Sequence, residues 1–282
     1  MKAKADCIPC MFKQALNTGR IVTEDPDLHL RILQELAGRI GDLSMDNTPA
    51  GISQTVYEIV ADVTGNSDPY AVQKAETNEA AMAMLPGLEQ VIRDSDDPLD
   101  VALHAAVAGN IIDLGIGHEF DIEQDVTRIL SQDFAICDVE AFRSEMKPDR
   151  TALYLGDNAG EIVLDRLLVQ QMLDAGMSVT FTVKSGPVIN DATMADAESV
   201  GMTDLVPVME TGSNAIGVNW NNCSDEFRAV FEAADVVVSK GHGNFETCND
   251  RPENIYFLLK AKCPMVADEL GVQVGDIVFK RL

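Results

Sequence analysis

The chain has 282 residues, 46% of them apolar and 5% aromatic, with a net charge of −25. That apolar share excludes disorder as the general state and predicts an aliphatic core. A surface carrying 46 acidic against 21 basic residues repels phosphate backbones and anionic lipid, which argues against nucleic-acid and membrane partners. Any anionic substrate would need a local positive site, a metal ion or a placed lysine.

MKAKADCIPCMFKQAL contains no apolar run of signal-peptide length, and no stretch approaches the ~20 apolar residues of a membrane span. A cytoplasmic location is the expectation. Cys7, Cys10, Cys137, Cys223, Cys248 and Cys263 do not resemble a secreted disulfide framework and are expected to be reduced thiols. Up to residue 149 the pattern predicts an all-helical domain. Helices are expected over 9–16, 29–40 and 47–63, the second from the spacing of Leu30, Ile32, Leu33, Leu36 and Ile40. A further helix opens at Asp68-Pro69 and runs to Pro86, and Asp96-Asp97-Pro98 starts another.

From residue 150 to 282 the grammar changes. TALYLG, SVTFTV, LVPVM, DVVVSKG and PMVA are short β-branched or apolar runs, and helical patterns separate several of them. This alternation predicts an α/β domain with a mainly parallel sheet, whose ligands bind beyond the strand C-termini. After TALYLG come Asp157 and Asn158. Asp191 lies beyond SVTFTV, and Lys240, Gly241, His242, Gly243 and Asn244 end the fourth run.

Two carboxylates and an amide oxygen at Asp157, Asp191 and Asn158 suit a hard divalent cation. Lys240 suits a phosphate, and the Gly241–Gly243 backbone can turn N–H groups toward an anion. Taken singly, Asp-Asn is also turn chemistry, Asp191 an N-cap and Lys240 a solvated surface charge. Their convergence on one crevice is what points to a site. A dinucleotide turn requires G-x-G-x-x-G, whereas Gly156 and Gly160 are spaced G-x-x-x-G. Cys7-x-x-Cys10 supplies two of the four ligands of a closed zinc site; a redox pair or two buried thiols fit it equally. Lys74 and Asn78 share one helix face, either lining the crevice or solvated.

LYLGDNAGEIVLD, SGPVINDAT, SKGHGNFET and LLKAKCPMVADELGV, with CIPC, DPYAVQKAETN and AGNIIDLGIG, resemble the damage-control phosphatases, the former domain of unknown function 89. The resemblance covers nearly the whole chain and is nearest to the compact prokaryotic branch carrying CxxC. It implies a helical N-terminal region packed on a Rossmann-like αβα domain and metal-dependent hydrolysis of small phosphorylated metabolites, such as sugar phosphates or damaged intermediates. By that resemblance Asp157, Asn158 and Asp191 hold the metal, here Mg²⁺, Mn²⁺, Co²⁺ or Ni²⁺. Lys240, Gly241, Asn244 and Glu161 face substrate, and Asn110 and Asp113 face the crevice from the helical half. The expected nucleophile is a metal-activated water. An aspartyl-phosphate on Asp157 normally wants a second Asp two residues on, where Ala159 stands. The rival reading is a non-catalytic nucleotide or metabolite sensor. A redox or metal-trafficking protein centred on CxxC is a third.

Overall fold

A computed structural model describes residues 1–108 and 131–282. Helices Cys7–Val22, Pro26–Arg39 and Pro49–Thr64 pack around their own core of Met11, Ile32, Leu36, Val56 and Ile59. Two of them start as their sequences dictate. The Asp25 and Thr48 side chains accept from Asp27 and Gly51 N–H groups, and Pro26 and Pro49 follow at the first helical position. Helix Ala71–Asp94 does not stop at Pro86, as the sequence predicts, but carries it in its interior. The missing N–H costs one hydrogen bond, and burial of Leu85 before it and of Leu88 and Ile92 beyond it offsets that loss. Helix Pro98–Ala108 is buried from Val101 onward and packs along helix Glu161–Asp174.

Among the described residues seven strands form one sheet: β1 (Phe134–Cys137), β2 (Thr151–Leu155), β3 (Ser178–Val183), β4 (Val208–Glu210), β5 (Val236–Lys240), β6 (Ile255–Lys260) and β7 (Ile277–Arg281). Their order is β1-β7-β6-β5-β2-β3-β4. All neighbours are parallel except β6 and β7. The mainly parallel α/β sheet is therefore as expected, with three additions and one correction. β1 comes from the half predicted to be helical. β6 and β7 were not predicted, because IYFLLK and IVFKR are apolar runs without clean alternation. PMVA is helical, opening helix Pro264–Leu270 with Pro264 at its first turn. Among the described residues no helix is long and apolar enough to cross a membrane.

Side-chain alternation splits the core into two layers. Tyr154, Phe181, Val236, Val238 and Tyr256 face helices Ala71–Asp94, Pro98–Ala108 and Glu161–Asp174. Leu153, Leu155, Val237 and Phe257 face the opposite layer with Phe227, Phe245 and Val266. From β2 the chain steps outward through β3 to β4, then returns to place β5 on the other side of β2. The strand order reverses between β2 and β5, and a crevice opens beyond their C-terminal ends.

The β2 exit is packed tightly. A Cβ on Gly156 would lie 2.7 Å from the Phe181 ring, which itself stacks on Tyr154 at 5.1 Å. Phe181→Ala should therefore lower stability by about 3–5 kcal/mol, read as a reduced urea midpoint at unchanged denaturant slope. A shift smaller than about 1 kcal/mol would show that this ring does not anchor the strand exit.

Candidate functional site

Three backbone turns build the site. Leaving β2, the chain passes Asp157, Asn158, Ala159 and a left-handed Gly160 (φ 79°) before helix Glu161–Asp174 begins. The segment after β3 is pinned to this turn. Ala159 N–H donates to Asn190 O at 2.8 Å, Ala192 N–H donates to Asp157 O at 2.8 Å, and Asn158 bridges Asp191. Asp157, Asn158 and Asp191 are thus brought together from two loops, as the strand-end reading expected. Beyond β5, Gly241 (φ 75°) starts helix Gly241–Cys248 directly against Asp157. A Cβ there would sit 1.8 Å from Asp157 Oδ2, so only glycine fits.

The donor set suits a cation. Asn158 Nδ2 is turned to Glu161 Oε1 at 3.1 Å and to Asp157 Oδ2 at 3.4 Å, which leaves its Oδ1 to act as a ligand. Asp191 Oδ2 is buried without a hydrogen bond, 3.6 Å from Lys184 Nζ. Burial, then Asp191 and Glu161, push the Asp157 carboxyl well above the usual carboxylate range. Burial likewise raises Asp191 to about 6 against the pull of Lys184. Crowded, desolvated carboxylates with an orphaned oxygen are what a bound cation relieves. Among the described residues no three His, Cys, Asp or Glu side chains are grouped to hold a metal by themselves. The Asn158 amide oxygen and non-protein oxygens would complete the shell.

Lys240 is not where the sequence reading put it. Its side chain is 0% exposed and lies under the turn, with Nζ 2.8 Å from Asp165 Oδ1 and 3.4 Å from Glu161 Oε2. Tyr154 OH also donates to Asp165 Oδ1 at 2.8 Å. Burial works against the ammonium, but Asp165 and Glu161 outweigh it and raise its pKa above the ordinary lysine value. Strand parity explains the placement: Lys240 shares its face with Val236 and Val238, toward helix Glu161–Asp174. Asn244 is also buried, its Nδ2 donating to Gly156 O at 3.0 Å and Lys240 O at 2.9 Å, so it ties the β2 and β5 exits together. Asn110 and Asp113 lie outside the described residues.

A cavity of about 480 Å³ opens over Asp157, Asn158 and Asp191. Its lining also includes Tyr57, Glu246 and Lys262, together with Cys7 and Cys10 of the first helix. Burial, then Lys262, pushes His242 down to about 4, which keeps its ring neutral near pH 7. Lys262 is then the cation among the described lining residues. Sequence reasoning missed it because it missed β6: once IYFLLK is a strand, Lys262 is another strand-end residue beside the switch point. The six cysteines are free thiols. Lys74 and Asn78 are buried rather than solvated and line a different cleft.

The family model described as the damage-control phosphatase ARMT1-like domain matches residues 3–278. The chain is 32% identical over 285 residues to a damage-control phosphatase of Pyrococcus horikoshii, covering 100% of this chain and 98% of that one. It is 33% identical over 287 residues to a damage-control phosphatase of Archaeoglobus fulgidus, covering 99% of each. An uncharacterized protein of Methanocaldococcus jannaschii is 31% identical over 293 residues, covering 100% of this chain and 96% of that one. The crystal structure of a DUF89 family protein from P. horikoshii superposes with a TM-score of 0.93 at 32% identity, covering 100% of this chain and 99% of the other.

Glu246 generates a prediction. Burial lifts its carboxyl from 4.5 to about 7, against the Ala50 N–H and the N-terminal ammonium, which favour the carboxylate. The folded state holds this proton more tightly than the unfolded chain. Its contribution is therefore full below the unfolded pKa and is lost as pH rises through the folded value. In metal-free urea titrations, Glu246→Gln should gain about 1–3 kcal/mol on wild type as pH goes from about 5 to about 8. Parallel pH profiles for the two proteins would refute the buried acid.

Proposed function

Because the chain belongs to the damage-control phosphatase ARMT1-like domain family, we propose that it is a phosphatase hydrolysing small phosphorylated metabolites at a divalent cation held by Asp157, Asn158 and Asp191. The observation that carries the reading is the meeting of these three oxygen donors with Lys262 in one cavity at the strand-order switch point. When bound, Mg²⁺, Mn²⁺, Co²⁺ or Ni²⁺ supplies Lewis-acid polarisation of a phosphoryl oxygen.

The chain's own residues do the rest. Glu161 orients the Asn158 amide so that its oxygen faces the ligand. Lys240 pairs with Glu161 and Asp165 from beneath, and so acts through Glu161 rather than on substrate. Lys262, on the cavity wall, supplies the positive charge that an anionic phosphoryl group requires on a strongly acidic protein. Gly241 lets the first turn of helix Gly241–Cys248 abut the Asp157 carboxylate, where the helix dipole favours negative charge. Water attacks phosphorus directly as the ester P–O bond breaks, and the substrate's alcohol leaves carrying a proton from that water; Ala159 stands where an aspartyl-phosphate route would want its acid.

The test is phosphate release from a panel of phosphomonoesters by metal-stripped protein resupplied with each of the four ions. Activity should return with at least one ion and vanish in Asp157→Ala. Lys262→Ala should lose on the order of 10²–10³ in rate at retained stability. Lys240→Met should lose about 3–5 kcal/mol of stability, because it strands two buried carboxylates. Folded protein that releases no phosphate under any combination, yet binds a panel member, would replace the enzyme with a metabolite sensor.

A further inference from the structure

Helix Ala71–Asp94 reaches the two ligand loops through buried polar side chains. Asn78 Oδ1 accepts the Gly160 N–H at 2.7 Å, and Asn78 Nδ2 donates to Asp196 Oδ1 at 3.2 Å. Asp196 Oδ2 in turn accepts from Thr193 N at 2.9 Å and from Thr193 Oγ1 at 2.7 Å. Lys74 Nζ stands 3.4 Å from that oxygen and 3.4 Å from Asp68. Lys74, Asn78 and Asp196 are each under 9% exposed. They line a separate cleft of about 440 Å³ and are absent from the wall of the cavity above the ligands.

The places they touch matter. Gly160 lies two residues beyond Asn158, and Thr193 two beyond Asp191. One amide–carboxylate pair therefore spans both loops that carry the ligands, joining helix Ala71–Asp94 to the turn after β2 and the segment after β3. Gly160 has φ 79°, and its N–H, at the N-cap of helix Glu161–Asp174, has no intrahelical acceptor. Without Asn78 that donor is buried and unpaired, and the turn loses its anchor.

We infer that Asn78 and Asp196 are positioning residues of the cation site, setting the distance between the Asp157–Asn158 turn and the Asp191 loop. Lys74 pairs with the Asp196 carboxylate within this clamp. The inference rests on the cation site of the proposed function. Its physical basis is that ligands must be held to fractions of an ångström, which loops achieve only with support from behind. The same pair lets helix Ala71–Asp94 bear on the site from behind, away from the cavity.

The experiment is calorimetric titration of metal-stripped protein with Mn²⁺, alongside thermal melting of the metal-free form. Wild type is compared with Asn78→Asp, Asp196→Asn, their double variant, and Asp157→Ala. Each clamp substitution exchanges amide for carboxylate at nearly constant volume. The singles break the donor–acceptor match, whereas the double variant restores it in reverse and keeps acceptors for Gly160 and Thr193. The singles should bind Mn²⁺ about 10–100-fold more weakly while melting cooperatively, and the double variant should return to within about threefold of wild type. Wild-type affinity in both singles overturns the inference. So does a single that loses its fold outright, since the pair is then only a structural bond, or a folded double variant that binds no better than the singles. Failure of wild type to bind Mn²⁺, or normal binding by Asp157→Ala, brings down the cation site and the inference with it.

Discussion

A carboxylate does not stay ionised away from water without a partner charge, and this protein collects carboxylates where its strand order reverses. Asp157, Glu161, Asp165, Asp191 and Asp196 crowd the turns beyond β2 and β3. Three buried lysines answer them from three directions. Lys240 comes from the end of β5, Lys184 from the end of β3, and Lys74 from the helical region. Each is 5% exposed or less. The compensation is incomplete: burial holds Asp157, Asp165 and Asp191 above the usual carboxylate range even so. Asp157 and Asp191 face the cavity, the side from which a cation would arrive.

The backbone makes this crowding possible. Gly156 passes over the Phe181 ring, Gly160 takes a left-handed turn, and Gly241 lies against Asp157 where no side chain fits. Asn244 then binds the β2 and β5 exits with two hydrogen bonds from one amide. The polar residues at these turns divide into two kinds. Asp157, Asn158 and Asp191 present oxygen to the cavity. Glu161, Lys240, Asn244, Asn78 and Asp196 hold those three in place.

Much of this was legible in residue order. The alternation of β-branched runs and helical stretches after residue 150 gives the parallel sheet, because a strand buried on both faces and a crossover helix have distinct compositions. Asp157, Asn158 and Asp191 were found as strand-end residues, and their convergence follows from topology. The misses have physical reasons. β6 reads as an undifferentiated apolar run, and losing it hid Lys262. Pro86 reads as a helix stop, but buried apolar contacts on either side carry the helix through it. Lys240 is expected to face substrate phosphate, although its parity with Val236 and Val238 places it on a buried face.

By itself the sequence determined which chemical groups stand at the ends of β2, β3 and β5, since strand boundaries and local motifs are short-range properties of the chain. Only the tertiary structure decided which of them meet the cavity and which support it from behind. Lys240 and Glu161 are 79 residues apart, and Asn78 and Gly160 are 82 apart. Contacts across such separations depend on how layers pack and on which way each side chain leaves its element. No local pattern encodes that, because the partner charge that makes a buried lysine tolerable is itself placed by the fold.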